Sequence, residues 1–476
     1  MFKRIIVSFL VILVIGFTFV SCDSDKGKAV PIETSSAKET PLTLENYGSS
    51  DMKVTIQFSN LTASDSKLKY SIGDGEKQDV TLSASVDITV PAGKTISFYD
   101  DRTITTGYST YYTITCDKDC YVYGNVMSLI NSTDFKNLTS LENYYGVFRE
   151  LFKENTSIKN HSSNKLILPA TKLAPFCYQE MFEECKSLTI MPELPATELA
   201  KSCYLFMFNG CTGLTTAPDL PATTLAEKCY YFMFQGCTGL TAAPELPATT
   251  LAEHCYYGMF AGCTNLISAP ALSATTLAEH CYYVMFQGCT GLTAAPDLPA
   301  TTLAEYCYYG MFAGCTNLIS APALSATTLA ERCYYGMFQG CTGLTAAPNL
   351  PATALMNNCY NSMFMNCTSL TFAPALPATT LAEKCYENMF KGCTTLIAAP
   401  ELPAENLVKE CYKTMFQGCS ALTSVTCHAI TNALDATKDW LSDVATTGTF
   451  TRPSTATFWE SDSPNGIPIG WTIEDL

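Results

Sequence analysis

The sequence predicts an α/β repeat solenoid, with one short strand and one short helix in each 26-residue unit, preceded by a small all-β, sandwich-like domain. Three observations support this prediction. Cysteines recur every 26 residues from Cys177 to Cys411, each unit has apolar residues at intervals of four, and the region 42–126 has short alternating apolar runs separated by turn residues.

Composition narrows the functional classes. The 476 residues are 47% hydrophobic, carry a formal charge of −16 and contain only 15% charged residues. An acidic balance argues against nucleic-acid binding, which needs basic surfaces. The apolar content is enough for a folded core.

The 26-residue period is the strongest signal in the chain. The first cysteine of each unit is Cys177, Cys203, Cys229, Cys255, Cys281, Cys307, Cys333, Cys359, Cys385 and Cys411, and a second cysteine follows each one by eight residues.

One unit illustrates the predicted helix. Thr302-Leu-Ala-Glu305 has the spacing of a capping box, which marks a helix start. Cys307, Met311 and Cys315 then follow at intervals of four and would share one helix face. Glycine before the second cysteine, replaced by Asn366 in a later unit, indicates a left-handed backbone that ends the helix. The prolines that precede the helix limit the strand to about three residues.

These units resemble leucine-rich repeats of the BspA-like type, found on surface lipoproteins of the Bacteroides group. The resemblance rests on the pattern Met-Phe-x-Gly-Cys-Thr-x-Leu followed by Pro-x-Leu-Pro-Ala-Thr-x-Leu, and it covers 143–427. In the degenerate first unit, Phe152, Asn155 and Ile158 take the places of Phe312, Cys315 and Leu318. The resemblance implies a surface protein that adheres to host proteins or other cells.

The N-terminus has the order of an export signal, with a basic start, an apolar run over 5–20 and a polar stretch after Cys22. Ser21-Cys22 resembles the lipobox of bacterial lipoproteins, which implies acylation of Cys22 and an outer-membrane, cell-surface location. An uncleaved anchor helix is the alternative. The predicted organisation is signal peptide 1–21, tether 22–41, β-sandwich-like domain 42–126, linker and degenerate first repeat 127–176, repeat solenoid 177–427 and C-terminal cap 428–476.

The cysteines have several possible roles. Two cysteines eight apart on a helix lie too far from each other for a disulfide, and close Cys pairs for a metal are absent from the repeats. We therefore expect buried, unpaired thiols. Cys116 and Cys120 flank a turn and form either a local disulfide or two free thiols.

Two rows of residues are candidate binding surfaces. Every unit has a tyrosine directly after the first cysteine, which we expect to pack between units. A second tyrosine would lie on the solvent side of the helix, opposite the cysteine, and it occurs only in the middle units at Tyr231, Tyr257, Tyr283, Tyr309 and Tyr335. These tyrosines form either an exposed binding stripe or part of a partly covered convex surface. The alternative binding face is the acidic row through Asp219, Glu245 and Asp297.

No enzyme, cofactor or metal site is expected, because no catalytic motif occurs in the sequence. His254 and His280 share a position that also takes Lys, Tyr and Arg, which indicates a solvent-facing site. The sequence thus favours a lipid-anchored protein that binds protein or cell-surface ligands through its repeats. The alternative is a glycan-binding accessory lipoprotein that uses the N-terminal β domain, with the repeats as a spacer.

Overall fold

The computed structural model describes residues 35–59, 61, 66–81, 83–104, 110–461 and 466–476. The predicted signal segment 1–21 and the lipidation site Cys22 lie outside these residues. Within the described part of the chain, no helix is long and apolar enough to cross a membrane.

Short strands form at the alternating runs of the N-terminal region. Val54, Ile56 and Phe58 lie in one of them, and alternate residues of that strand are buried, as a period of two requires. After the short helix α1 (Ser35–Glu39), the strands are β1 (Leu42–Glu45), β2 (Met52–Ser59), β3 (Lys69–Ile72), β4 (Gln78–Asp79), β5 (Ser85–Val90), β6 (Thr95–Tyr99), β7 (Tyr111–Cys116) and β8 (Cys120–Asn125). All their mutual pairings are antiparallel, in a sheet with β5, β2 and β7 and a second sheet that contains β8, β1, β6, β3 and β4.

The β region is joined to the first repeats by backbone pairing. Strands β9 (Ile158–Asn160) and β10 (Leu166–Ile167) add to β8 in parallel. Two 3-10 helices, Val126–Leu129 and Phe135–Asn137, lie between β8 and the repeats. One hydrophobic core runs from the β region through the repeats into the C-terminal segment. The predicted boundary at 126 therefore crosses a shared sheet.

The predicted helix of each unit is wrong. Residues 143–427, all of which the structure describes, contain no α-helix. Instead, alternate amides close four-residue β-turns within the unit, as from Cys307 N to the Ala304 carbonyl (3.3 Å). The amides between them donate to the following unit, as from Tyr308 N to the carbonyl of Cys333 (3.0 Å).

A left-handed residue recurs every four positions in these turns. In one unit, Tyr306, Gly310 and Gly314 have φ values of +54°, +56° and +74°. The left-handed backbone predicted for the glycine position is confirmed, including Asn366 at +62°. Its role differs from the prediction, because it repeats a turn rather than ending a helix. A four-residue repeat of turns places Cys307 and Cys315 on one buried side, as a helix would.

The predicted three-residue strands are single parallel bridges between units, such as Thr302 with Thr328 and Ala294 with Ser320. These bridges and the amide hydrogen bonds between units both join residues that are about 26 positions apart. This stacking is consistent with a solenoid.

The C-terminal segment covers the last unit. Phe416 N donates to the Trp440 carbonyl (2.9 Å), and the Trp440 ring is fully buried against Tyr412. Strands β11 (Ser424–Thr426), β12 (Gly448–Arg452) and β13 (Trp471–Asp475) form a parallel sheet beside it.

Candidate functional site

Two buried columns of aromatic rings run through the repeats, and they confirm that the first tyrosine of each unit packs between units. We call the tyrosines that follow the first cysteines the inner tyrosine column. Ring centroids of successive units lie 5.7–6.0 Å apart there, and 5.5–5.8 Å apart in the phenylalanine column that ends at Phe416. Such stacking fixes the register between units. The inner tyrosine column comprises Tyr178, Tyr204, Tyr230, Tyr256, Tyr282, Tyr308, Tyr334, Tyr360, Tyr386 and Tyr412.

The repeat cysteines are buried and free, as predicted. The second cysteine of every unit donates its thiol to the phenylalanine carbonyl of the preceding unit, as from Cys315 Sγ to the Phe286 oxygen (3.1 Å). Burial raises the pKa of these thiols, to about 12 at Cys281 and Cys289, so they stay protonated and weakly nucleophilic at neutral pH. Cys116 and Cys120 are also free, with their sulfur atoms 3.5 Å apart.

The second tyrosines form a continuous outer tyrosine column of Tyr231, Tyr257, Tyr283, Tyr309 and Tyr335. Their ring centroids are 4.4–4.6 Å apart, closer than in the buried columns. The rings are half-buried rather than fully exposed, because each is covered by its neighbours. Burial and the adjacent tyrosines raise the pKa of Tyr283 to about 12.

A flanking column runs beside the outer tyrosine column. His254 stacks on His280 (4.6 Å), and His280 stacks on Tyr306 (4.5 Å). The prediction that these histidines face solvent is wrong, since only 18% and 19% of their side-chain surface is exposed. Burial and the neighbouring His280 lower the pKa of His254. The flanking column comprises Lys228, His254, His280, Tyr306, Arg332, Asn358, Lys384 and Glu410.

The described residues contain no group of three His, Cys, Asp or Glu side chains that could hold a metal ion. The repeated glutamates do not cap helices, because the repeats have none. They lie beside surface cations instead, as Glu331 does with Arg332 (3.0 Å) and Glu383 with Lys409 (2.7 Å).

A groove of about 340 Å³ opens where the outer tyrosine column ends, and we call it the Tyr335 groove. It forms because the next unit carries short asparagines in both columns. It extends back along the outer tyrosine column, and the side chains around it are Tyr283, Tyr306, Tyr309, Arg332, Tyr335, Asn358, Asn361, Lys384 and Glu387. Sequence reasoning missed this site, although aligning the units shows the change from Tyr335 to Asn361 to Glu387 at one position.

The acidic row lies on a different surface of the units. Asp219, Glu245 and Asp297 are all exposed. Neither the Tyr335 groove nor the pocket beside Arg102 and Tyr144 includes them. They remain available to solvent.

A second aromatic cluster lies on the β region and was not predicted. Tyr47 stacks on Tyr121 (4.4 Å), and the His161 ring meets the edges of Tyr121 and Tyr123 at 5.1 and 5.3 Å. His161 also lies 3.8 Å from Glu45. Alternation in β8 places Tyr121 and Tyr123 on one face, which is the signal that could have revealed the cluster.

Comparison with known protein families matches the repeats to the BspA type leucine rich repeat region, in six copies, over residues 257–397 and 333–440. No curated protein and no solved structure matches the chain significantly. Leucine-rich repeats generally form protein-interaction or adhesion modules, and those of the BspA type are often surface-associated. Together with the 26-residue stacking register, the match supports a BspA-like leucine-rich repeat protein.

Proposed function

We propose that this chain is a lipid-anchored cell-surface protein of the bacterial outer membrane that binds protein or cell-surface ligands through its repeats. The observation that carries the proposal is the outer tyrosine column, five phenols in unbroken register on the surface of the array. Tyrosine combines a large apolar ring with a polar tip and is enriched in protein interfaces. Identical contacts in successive units would add up to stable adhesion even when each contact is weak.

The rigidity of the column favours binding. Each ring is held by its neighbours at 4.4–4.6 Å, so its side chain has little freedom to lose when a partner docks. The acidic row has no such support, which makes Asp219, Glu245 and Asp297 the second surface to test.

The test replaces Tyr257, Tyr283 and Tyr309 together in the full chain. Serine at all three positions removes the rings, and phenylalanine keeps the rings but removes the hydroxyls. We expect the serine variant to lose most adhesion to matrix proteins or cells, and far more than any single change. Each lost ring pair costs about 0.5–1.5 kcal/mol of stability, so circular dichroism must confirm that the variant is folded.

The matched control changes Tyr256, Tyr282 and Tyr308 of the inner tyrosine column to Phe. This substitution has the same composition as the outer phenylalanine variant but leaves the surface unchanged, and adhesion should be retained. Unaltered adhesion in a folded outer serine variant would show that the column is not the binding surface.

The lipid anchor is tested separately. Cys22→Ala should release the protein from the membrane fraction, because acylation contributes about 0.8 kcal/mol per buried methylene and the substitution removes the acyl chains. Retention of the variant in the membrane would favour an uncleaved helix over 5–20.

A second candidate function is glycan binding by the β region. The cluster of Tyr47, Tyr121, Tyr123 and His161 favours it, because Tyr47 remains 41% exposed and Glu45 adds a hydrogen-bond acceptor beside the rings. Tyr47→Ala in the full chain should then abolish glycan binding and leave adhesion through the repeats intact. Point variants are preferable to separated fragments, since β8 shares a sheet with β9 and β10.

A further inference from the structure

The Tyr335 groove is a gap in a stack of rings. Up to Tyr335, each unit of the outer tyrosine column adds one ring, 4.4–4.6 Å beyond the last. The next unit has the shorter Asn361 at this position, and Glu387 follows one unit later. The smaller Asn361 therefore leaves open part of the space that a sixth outer ring would fill, and the groove of about 340 Å³ extends from there along Tyr309. A flat ring in van der Waals contact needs roughly 3.5–4.0 Å on each side, so the groove has room for one ring stacked on Tyr335.

The floor of the groove is fixed before any ligand arrives. Asn361 is buried, and its Nδ2 donates to the Asn358 Oδ1 (3.2 Å) and to the Glu387 Oε2 (3.0 Å). The Ser362 hydroxyl donates to the Asn361 Oδ1 (2.7 Å). These bonds hold the amides in place, which reduces the cost of ordering the site on binding.

The charged groups around the groove already have partners. Arg332 lies over the Tyr306 ring at 5.3 Å and pairs with Glu331 at 3.0 Å. Lys384 pairs with Glu410 at 3.3 Å. A ligand therefore needs no charge of its own, but it does need many hydrogen-bonding groups to match the donors and acceptors around it.

We propose that the Tyr335 groove binds a neutral pyranose ring of a glycan. The apolar face of the sugar would stack on Tyr335, and its hydroxyls would bond with Arg332, Lys384 and Glu387. An aromatic side chain from a partner protein fits less well, since anchors of that kind bury themselves in largely apolar pockets, whereas the residues that line this groove besides its four tyrosines are all charged residues or asparagines. The volume of about 340 Å³ is at the small end of ligand sites and suits a short stretch of glycan.

This inference rests on the proposed function, in which the repeats are the binding part of the chain, and it adds a ligand class and a position. It differs from the second candidate function, which places glycans on the β region. The two glycan sites share no residue, so variants can separate them.

The test screens the full chain without its first 22 residues against a glycan array. The strongest neutral oligosaccharide is then titrated by NMR. Asn361→Tyr should abolish binding, because it continues the outer tyrosine column and fills the gap with the residue that five other units carry. Tyr335→Ser should weaken binding about tenfold or more by removing the stacking face.

The matched control is Tyr231→Ser, which removes the ring at the opposite end of the same column and should change sugar affinity by less than about twofold. Equal sugar binding by a folded Asn361→Tyr variant overturns the inference, as does the absence of any glycan ligand. The triple-serine variant also removes Tyr283 and Tyr309 from the groove. Asn361→Tyr keeps all five outer tyrosines, so retained adhesion with lost sugar binding in this variant separates the two sites. If aromatic peptides bind the unsubstituted chain but not the Asn361→Tyr variant, and sugars bind neither protein, the assigned ligand class is wrong.

Discussion

The β region and the repeats show how differently two periodic patterns constrain a backbone. In the β region, alternating residues such as Val54 and Ile56 are buried, and the backbone is the extended strand that a period of two predicts. In the repeats, buried residues recur every four positions, yet the backbone is a series of turns rather than a helix. A period of four therefore identifies the buried side of a segment without identifying its conformation.

The two regions also differ in what holds them together. The β region closes its hydrogen bonds between neighbouring antiparallel strands. In the repeats, alternate amides donate to carbonyl groups of the next unit, so no unit can satisfy all its backbone hydrogen bonds alone. This dependence is typical of stacked repeats. It also packs the cysteine thiols and inner phenols of all units into one core.

The largest expected effect is unfolding of the repeats at alkaline pH. Burial raises the pKa of Cys281 and Cys289 from 9.0 to about 12, and the pKa values of the inner tyrosines rise as well. Because the folded pKa is higher, the folded chain binds more protons above pH 9. Stability is then complete below pH 9 and is lost as the pH rises towards 12. Each thiol contributes a loss of about 1.4 kcal/mol per pH unit in that window.

Urea unfolding at pH 7, 9, 10 and 11, followed by near-ultraviolet circular dichroism, measures this effect. Because the repeats contain twenty such cysteines, we expect them to unfold without denaturant at about pH 10–11. The β region contains only two cysteines, Cys116 and Cys120. Titration of its thiols alone would therefore make the free energy of unfolding fall far less steeply with pH. A free energy of unfolding that stays constant up to pH 11 contradicts the buried-thiol core.

Much of the array could be predicted from the sequence, because a residue type repeated in every unit reports its environment. The inner tyrosines, the free thiols and the left-handed position at Gly314 and Asn366 were all predicted in this way. Strands such as β2, β6 and β7 were predicted as well, since their period of two is tied to one backbone conformation.

The remaining features depend on contacts between units that a single unit does not encode. The capping-box spacing at Thr302 and Glu305 indicated a helix, but in the structure the Leu303 amide bonds to the Thr328 carbonyl of the next unit (3.1 Å). His254 and His280 were placed in solvent because their position tolerates charge, whereas stacking on each other half-buries them. The Tyr335 groove arises from the size difference between successive units at one position.

The next largest effect is the loss of stability when one of the two cysteines of a unit is replaced. Cys307→Ala removes a buried sulfur and should lower the free energy of unfolding by about 1–2 kcal/mol. Cys315→Ala should cost more, because Cys315 also donates to the Phe286 carbonyl. Cys315→Ser keeps a donor and serves as the control, with a loss smaller than that of alanine if the hydrogen bond matters.

Thiol labelling checks the same pair of cysteine columns in the unsubstituted protein. Labelling of the native chain should be slow, and denaturation without a reductant should expose about twenty further thiols, in line with the repeat cysteines. If almost no thiol appears on denaturation, the cysteines are disulfide-bonded and the buried-thiol interpretation is wrong.

The smallest expected effect is the change in stability on placing glycine in the repeats, and it tests directly whether their backbone forms turns or a helix. Thr414 has a φ of +51°, a strained conformation for a β-branched residue, and Gly258, Gly310 and Gly336 occupy the same position in other units. Thr414→Gly should therefore leave the free energy of unfolding unchanged or raise it by up to about 1 kcal/mol, despite losing the hydroxyl bond to Asn388 (2.6 Å).

The matched control for Thr414 is Gln417→Gly, at a half-buried position three residues later whose backbone is not left-handed. It should lower the free energy of unfolding by about 1 kcal/mol, since glycine there only adds freedom to the unfolded chain. A helix would instead be destabilised at both positions, by a few tenths of a kcal/mol for Thr414→Gly and by about 0.6 kcal/mol for Gln417→Gly. Urea unfolding of the two variants at pH 7 thus distinguishes the backbone of the repeats from the helix that its four-residue period suggests, and a loss of stability in both variants would favour the helix.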